Sequence, residues 1–280
     1  MRVLIAGCGY VGCELGRRLA AAGDRVWGLR RSAGAALPDG IEPVTADLTD
    51  AASLEALPRG VEAVVYAASA GGFSDERYRA AYVDGPRNLL AFLAARREPL
   101  RRALFVSSTG VYGQQDGEWV DEDSPADADH FSAERLREGE RLVRDSPYGG
   151  VVARLGGIYG PGRTRLLERV RRGEETCDET TETWTHRIHR DDAAGALAHL
   201  LRLPRPDPFY LLVDREPVER RALLRWLAER MGAPPPPVVE NRAESERRVN
   251  KRCSSRRLVE SGYEFEYPTY REGYGALIDG

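Results

Sequence analysis

The chain opens with RVLIAGCGYVGCELG at residues 2–16, an apolar run that leads directly into a glycine-rich turn. Arg2–Ala6 is predicted as a buried strand, because a short run rich in Val, Leu and Ile is followed by a turn signal. After the turn, Val11, Leu15 and Leu19 recur every fourth residue and would form one apolar helix face. A buried strand, a glycine turn and a helix in this order predict the first unit of a parallel α/β sheet.

The same alternation of strands and helices continues through the first half of the chain. Predicted strands follow at Arg25–Leu29, Glu42–Ala46, Ala63–Ala68, Ala103–Ser107 and Val151–Leu155, with predicted helices at Glu76–Arg97 and Ala133–Arg144. Parallel strands joined by right-handed helical crossovers form a doubly wound sheet. We therefore predict an α/β Rossmann fold.

The second half has shorter and more polar segments. Glu174–Thr185 is predicted as a mobile loop or lid, Phe209–Val213 as a strand and Pro217–Met231 as an amphipathic helix. We therefore expect a Rossmann domain and a small C-terminal substrate-binding cap. The expected Rossmann domain comprises residues 1–158 with 187–204 returning to it, and the expected cap comprises residues 159–186 and 205–280.

The composition of the chain excludes two classes of partner. Its 280 residues carry 41 basic and 44 acidic side chains, so no excess of positive charge attracts nucleic acid or an anionic membrane. The longest uncharged stretch, Ala103–Gln115, is too short to span a bilayer. The cysteines Cys8, Cys13, Cys177 and Cys253 form no CxxC pair and indicate reduced thiols of a cytoplasmic protein. A small molecule is the expected partner.

The glycine turn has the spacing of a dinucleotide-binding loop, GxGxxG. Gly7 would allow a tight turn, Gly9 would let the backbone approach a pyrophosphate, and Gly12 would let the helix pack closely on the sheet. The helix N-terminus at Tyr10 and Val11 would supply N–H groups to the anion. A glycine-rich turn without a ligand is the alternative interpretation.

The end of the second predicted strand indicates which dinucleotide binds. An acidic residue about 20 positions after the loop would hold the ribose hydroxyls of NAD. This chain has Arg30 and Arg31 there, and guanidinium groups form charge-assisted hydrogen bonds with a 2′-phosphate. We therefore predict NADP, with NAD as the less favoured cofactor. The two arginines could also simply coat the surface of an arginine-rich protein.

The ends of the third and fourth strands carry the other candidate cofactor-binding residues. Asp47 and Leu48 follow the third strand and could border the adenine. Ala67, Ala68 and Ser69 follow the fourth strand, where small side chains would let the phosphates and ribose lie close to the backbone. Because the carboxyl ends of parallel strands meet at one edge of a sheet, these residues are expected beside the glycine loop.

The order of the motifs along the chain resembles that of extended short-chain dehydrogenase/reductases of the NAD-dependent epimerase/dehydratase kind. Within that family the chain is similar to the atypical, YeeZ-like group of predicted nucleoside-diphosphate-sugar epimerases. The resemblance rests on GCGYVG at 7–12, Asp47-Leu48, SSTGVYG at 107–113, GIYGPG at 157–162 and RIHRDD at 187–192. It implies hydride transfer between a nicotinamide and a carbonyl or secondary alcohol. A nucleotide sugar as the substrate and a homodimer as the assembly are further implications.

The resemblance also implies a catalytic hydroxyl group and a Tyr-x-x-x-Lys dyad, and the dyad is missing. Ser108 occupies the hydroxyl position, with Thr109 beside it. The segment where the dyad belongs, Asp129–Leu136, has neither tyrosine nor lysine, and no tyrosine lies four residues before the only lysine, Lys251. His130 is a candidate substitute, because imidazole ordinarily titrates near neutral pH. It could equally be an exposed loop histidine.

Two functions remain open from the sequence. The first is an oxidoreductase or epimerase in which Ser108 holds the substrate oxygen and the proton donor is unassigned. The second is a non-catalytic NADP(H)-binding sensor or partner-binding module, which the missing dyad favours. Tyr112, Tyr159 and His189 are weaker substitutes for the proton donor. No metal site is predicted, because the histidines and aspartates of His186–Asp192 lack a third, distant ligand.

Overall fold

The computed structural model describes residues 1–32, 36–178, 182–239 and 250–280. Within these residues the strands are β1 (Arg2–Ala6), β2 (Arg25–Arg30), β3 (Ile41–Thr45), β4 (Ala63–Tyr66), β5 (Arg102–Ser108), β6 (Glu118–Val120), β7 (Gly150–Leu155), β8 (Gly157–Tyr159), β9 (Cys177–Asp178), β10 (Trp184–Thr185), β11 (Arg187–His189), β12 (Phe209–Leu212), β13 (Val218–Glu219), β14 (Val238–Val239) and β15 (Lys251–Cys253).

Helices lie between the strands. They are α1 (Tyr10–Ala21), α2 (Asp75–Arg79), α3 (Gly85–Ala95), α4 (Phe131–Arg144), α5 (Arg165–Arg171), α6 (Arg190–Arg202), α7 (Arg220–Arg230), α8 (Arg256–Glu260) and α9 (Tyr270–Asp279). A π-helical turn, Ala80–Asp84, connects α2 to α3, and 3₁₀ turns occupy Ala52–Ala56 and Thr109–Val111. Within the described ranges, no helix combines the length and the apolar character needed to cross a membrane.

The central element is a seven-stranded sheet with the strand order β12-β7-β5-β4-β1-β2-β3. The neighbours from β5 to β3 all pair in parallel. From β1 the chain builds outward through β2 and β3 on one side and then continues through β4 and β5 on the other. The order therefore reverses between β1 and β4, and the predicted doubly wound Rossmann sheet is confirmed.

The core of the sheet explains why the first 20 residues fold in this way. Val3, Leu4 and Ile5 of β1 are fully buried, as expected for a parallel strand covered on both faces. Leu15 and Leu19 of α1 are also fully buried. Each buried side chain of this size contributes about 1.5–3 kcal/mol, so the apolar stripe is sufficient to hold α1 on the sheet.

The chain divides into two compact units. The first comprises Met1–Val111, Asp127–Arg154 and Ala194–Tyr210, and the second comprises Tyr112–Ala126, Leu155–Ala193 and Leu211–Gly280. The second unit has its own apolar cluster, which includes Leu223, Leu224 and Leu227 of α7. Residues 112–126, which we expected in the Rossmann domain, fall in the second unit. The substrate-binding role of a C-terminal cap stays a prediction.

The segment Glu174–Thr185 differs from the loop that its polar composition predicts. β9 pairs in parallel with β14, and β10 pairs antiparallel with β13. The backbone N–H of Trp184 also donates to the Asn250 side chain at 2.8 Å. Residues 179–181 lie outside the described residues. Strands of two residues form here through pairing with distant segments, and local composition carries no signal for such pairing.

Candidate functional site

The glycine loop follows β1 and packs against the end of β4. Gly7 has a φ of +94°, in the left-handed region that glycine adopts without strain. A Cβ atom at Gly7 would lie 2.3 Å from the backbone nitrogen of Ala68, so no larger residue fits there. Because the strand order reverses between β1 and β4, this contact lies at the crevice where doubly wound sheets bind their ligands.

The other two glycines of the loop have different surroundings at the start of α1. A Cβ atom at Gly12 would lie 2.9 Å from the Gly7 carbonyl oxygen, so Gly12 lets the helix pack closely. A Cβ atom at Gly9 would meet no atom closer than 4.0 Å, so packing does not require glycine at that position. The open space lies at the N-terminus of α1, where Tyr10 and Val11 form the first turn. This is the position at which helix amides attract an anion.

Arg30 and Arg31, at the end of β2, have different environments. The Arg30 Nε donates to the carbonyl oxygen of Cys8 at 2.7 Å, and its Nη2 donates to the Cys13 sulfur at 3.0 Å. These hydrogen bonds hold the Arg30 side chain against the glycine loop. The Arg31 side chain is exposed. The sequence analysis predicted one role for both arginines. In the structure, Arg30 contacts the glycine loop, whereas Arg31 faces solvent.

The remaining candidate cofactor residues follow β3 and β4. Hydrogen bonds from the hydroxyl and backbone N–H of Thr49 hold the pKa of Asp47 below its usual range, and the charge of Arg31 adds to this effect. Leu48 is half-buried beside Asp47. After β4, Ala67 and Ala68 are half-buried and Ser69 is exposed. The structure therefore brings all the predicted cofactor residues to one edge of the sheet, and their contacts with a cofactor stay predictions.

Ser108 lies at the end of β5, which neighbours β4 in the sheet. Its side chain is half-buried, and its Oγ accepts a hydrogen bond from the backbone N–H of Gly110 at 3.0 Å. Because the Oγ is an acceptor in that bond, its own hydrogen can be donated to another group, such as a substrate oxygen. Thr109, the next residue, is buried in the 3₁₀ turn.

His130 caps the N-terminus of α4. Its Nδ1 accepts a hydrogen bond from the backbone N–H of Ala133 at 3.2 Å and lies 2.6 Å from the Ser132 hydroxyl. A neutral imidazole that accepts at Nδ1 carries its proton on Nε2. The exposed side chain therefore has a structural role at Nδ1, and its role as a proton donor stays a prediction.

A buried ion pair joins α4 to β7, and the sequence analysis did not predict it. Glu140 of α4 and Arg154 of β7 form two hydrogen bonds of 2.9 and 2.6 Å, and the Ser107 hydroxyl donates to the same carboxylate at 2.6 Å. Glu140 lies on the buried face of α4 that Leu136 and Val143 share. The signal in the sequence was an acidic residue, Glu140, on the apolar face of the predicted helix, where an ionised side chain needs a buried partner.

Asp192 of the RIHRDD segment makes contacts with the C-terminal part of the chain. Asp192 accepts hydrogen bonds from the Tyr263 hydroxyl and from the backbone N–H groups of Glu266 and Tyr267, at 2.8–2.9 Å. It therefore holds the C-terminal segment within the second unit. Burial raises the pKa of Asp192. Among the described residues, no three side chains of the metal-ligating types come together.

The fold and the glycine loop define a dinucleotide-binding protein of the Rossmann type. The sequence matches the NAD dependent epimerase/dehydratase family over residues 3–209, and the chain belongs to that family. The resemblance inferred from the motifs, including the similarity to the YeeZ-like group, is confirmed.

Three relatives are similar over most of their length. Protein YeeZ of Escherichia coli (strain K12) is 28% identical over 282 residues, covering 95% of this chain and 96% of the relative. The 3-diazoavenalumate denitrifying reductase of Streptomyces sp is 31% identical over 257 residues, covering 84% and 83%. A solved structure described as a NAD-dependent epimerase/dehydratase from Methylobacillus flagellatus has 40% identity and a TM-score of 0.83, covering 99% and 97%.

Two more distant structures share the fold. Human epimerase family protein SDR39U1, solved with NADPH, has 20% identity and a TM-score of 0.81, covering all of both chains. MoeE5, solved with UDP-glucose and NAD, has 21% identity and a TM-score of 0.78, covering 100% of this chain and 98% of that one. Neighbours of this fold thus bind either nicotinamide dinucleotide.

Proposed function

We propose that the protein is an NADP(H)-dependent oxidoreductase or epimerase that acts on a carbonyl or secondary alcohol of a small molecule. The observation that carries the proposal is the geometry of the glycine loop. Gly7 packs against Ala68 at the switch point of the sheet, while open space remains over Gly9 at the start of α1. A pyrophosphate fits such a space, because bare backbone and helix amides can contact both of its phosphates.

The residues at this edge of the sheet have separable roles in the proposal. Gly9 and the first turn of α1 would hold the pyrophosphate, and Ala67–Ser69 would leave room for the ribose. The bound nicotinamide would supply the hydride chemistry. The Ser108 hydroxyl would donate a hydrogen bond to the substrate oxygen, since its Oγ accepts from Gly110 and its hydrogen is left to donate.

NADP is the cofactor that we favour over NAD. Exposed Arg31 offers a cation at the end of β2, where a carboxylate would repel a 2′-phosphate. The fold shared with an NADPH-bound human protein is compatible with this choice. The free thiols of Cys8, Cys13, Cys177 and Cys253 support a cytoplasmic location in the proposal.

The substrate belongs to the small-molecule class in this proposal, and a nucleotide sugar is the candidate that we favour. MoeE5, which shares the fold, binds UDP-glucose together with NAD. The reductase relative, by its name, acts on 3-diazoavenalumate, so the family also serves other small molecules. A homodimer stays a prediction from the family resemblance.

A non-catalytic NADP(H)-binding sensor is the second candidate function. One observation favours it: the Nδ1 of His130, the candidate nearest the missing dyad, accepts a hydrogen bond as the cap of α4, so this nitrogen is not available to take a proton from a substrate. The two candidates share the cofactor site and differ in whether Ser108 contacts a reacting oxygen.

The first test is a titration of the purified protein with NADPH and with NADH, followed by nicotinamide fluorescence and thermal shift. We expect tighter binding of NADPH and an enhanced, shifted nicotinamide signal. Stabilisation by neither nucleotide would overturn the proposal. Screening carbonyl compounds and nucleotide sugars by NADPH oxidation then separates the enzyme from the sensor. With an active substrate, Ser108→Ala should lower turnover about a hundredfold with little change in NADPH affinity.

A further inference from the structure

Two cysteines flank the part of the glycine loop that is proposed to hold the pyrophosphate. Cys8 precedes Gly9, and Cys13 lies near the start of α1. Their Sγ atoms are 4.0 Å apart, and the Cys13 thiol donates to the carbonyl oxygen of Cys8 at 3.4 Å. The S–S bond of a disulfide measures about 2.05 Å. The two sulfurs are therefore in contact without being bonded, and an approach of roughly 2 Å would join them.

Cys13 is the more accessible member of this pair. It is half-buried, whereas Cys8 is fully buried and Cys177 and Cys253 are buried too. The Nη2 of Arg30 donates to the Cys13 Sγ at 3.0 Å, so a cation contacts this sulfur directly. Cysteines that react with peroxides are partly exposed and lie beside a positive charge. Cys13 meets both conditions.

Cys8 is placed to act as the second thiol. Burial raises the pKa of the Cys8 thiol, and the neighbouring Cys13 adds to this effect, so Cys8 stays protonated while Cys13 meets the oxidant. The Cys8 sulfur packs on β2, because a Cβ atom added to Gly28 would lie 2.8 Å from it. Since β2 fixes the position of Cys8, closing the pair moves Cys13 and the intervening segment Gly9–Gly12.

We infer that Cys13 is a site of oxidation by peroxides, that Cys8 converts the product to a disulfide, and that this disulfide weakens NADPH binding. The effect on NADPH rests on the proposed function, whereas the disulfide does not. In the first step the Cys13 sulfur attacks an oxygen of hydrogen peroxide, the O–O bond breaks, and a sulfenic acid and water form. In the second step the Cys8 sulfur attacks the Cys13 sulfur, the S–O bond breaks, and hydroxide leaves as water with the Cys8 proton. The two thiols lose two electrons in total, and one peroxide is reduced to two waters.

Two features of the loop change when the disulfide forms. Drawing the sulfurs together shifts Gly9–Gly12, whose backbone N–H groups would contact the phosphates. Moving the Cys13 sulfur towards Cys8 also disturbs its hydrogen bond with Arg30, which holds the loop. Losing one charge-assisted hydrogen bond to a phosphate weakens binding about tenfold. The disulfide form should therefore bind NADPH at least about tenfold more weakly than the reduced form.

Mass spectrometry detects the disulfide within a single peptide. Trypsin cleaves after Arg2 and Arg17 and releases Val3–Arg17, which contains Cys8 and Cys13 and no other cysteine. The full-length protein is treated with hydrogen peroxide, denatured, alkylated with N-ethylmaleimide and digested. We expect this peptide to be lighter by two hydrogen atoms and to carry no alkyl group, while the peptides of the two other cysteines are alkylated. Treatment with dithiothreitol should restore alkylation of Val3–Arg17.

Fluorescence titration with NADPH on the same samples measures the consequence. Peroxide should weaken binding at least about tenfold, and dithiothreitol should restore the original affinity. In Cys13→Ala, peroxide should leave the affinity of that variant unchanged. In Cys8→Ala, dimedone, which labels sulfenic acids, should label Cys13, because no second thiol is present to resolve it. Cys177→Ala is the matched control, since Cys177 is buried in the second unit, and it should keep the full peroxide effect.

Two outcomes with the wild-type protein would overturn the inference: both cysteines of Val3–Arg17 remain alkylated after peroxide treatment, or the disulfide form binds NADPH as tightly as the reduced form. Neither outcome depends on the folding of a variant, and neither disproves the proposed function. If NADPH fails to bind even the reduced protein, the proposed function fails together with the effect on the cofactor. The peptide mass then still decides whether Cys13 and Cys8 form a disulfide.

Discussion

The glycine loop and helix α4 both belong to the first unit, and they differ in how many of the expected site features they contain. The loop has the turn at Gly7, the close packing at Gly12 and the open space at Gly9. Helix α4 begins with the His130 cap and contains no Tyr-x-x-x-Lys dyad. A cofactor site built from backbone tolerates changes of side chain, whereas a proton-transfer site built from two side chains is lost with them. Binding and chemistry are therefore separable in this fold.

The first prediction concerns the ion pair that holds α4 on the sheet, between Glu140 and Arg154 of β7. Glu140→Ala should lower the free energy of unfolding by about 3–5 kcal/mol, because it leaves the Arg154 guanidinium buried without a counter-charge. Urea denaturation followed by circular dichroism measures the loss. A loss of this size would show that α4 contributes to the stability of the fold through this ion pair.

Glu134→Ala is the control on the same helix, because Glu134 is exposed and should change stability by less than about 1 kcal/mol. Replacing both partners, in Glu140→Leu with Arg154→Met, should recover much of the loss, since no unpaired charge remains. A Glu140→Ala protein as stable as the Glu134→Ala protein would show that the ion pair contributes little.

The second prediction concerns the loop. Gly9→Val should weaken NADPH binding at least about a hundredfold, because its side chain would enter the space that the pyrophosphate needs. The melting temperature of the free protein should change little, since no atom lies closer than 4.0 Å to the added Cβ. Fluorescence titration and thermal shift on the same samples measure the two effects.

Gly275→Val serves as the control for Gly9→Val. Gly275 also has open space around its Cα, and it lies in α9 of the second unit. NADPH affinity should be unchanged in that protein. Unaltered affinity in Gly9→Val would remove the assignment of the loop as the pyrophosphate site.

The sequence predicted the parts of the fold that depend on local order. Apolar runs such as Arg2–Ala6 and the repeat at Val11, Leu15 and Leu19 report their own secondary structure, and the parallel crossovers follow from alternation. The pairing of Trp184 with the strand at Val218 was missed, because it depends on residues more than 30 positions apart.

The candidate site was predictable at the level of strand ends and glycine spacing, and less so at the level of side-chain contacts. Ser108 was placed at the end of its strand by motif alone. The helix cap of His130 and the anchoring of Arg30 to Cys8 depend on side-chain conformations that no local pattern fixes. Arg163, Arg169 and Arg187 line one pocket of the second unit, and they come together only in the folded chain.

The last prediction concerns Arg30 and Arg31 at the end of β2. Arg30 contacts the glycine loop and Arg31 is exposed, a difference that the sequence does not show. Arg31→Ala should weaken NADPH binding about tenfold and change NADH binding little, because a charge-assisted hydrogen bond contributes roughly 1.5–3 kcal/mol and only NADPH has the 2′-phosphate. Arg30→Ala should weaken both nucleotides by similar factors, because Arg30 holds the loop through Cys8 and Cys13. Parallel fluorescence titrations give the four affinities. The opposite result would be that Arg30→Ala weakens only NADPH binding and Arg31→Ala changes neither affinity. Arg30, and not Arg31, would then bind the 2′-phosphate.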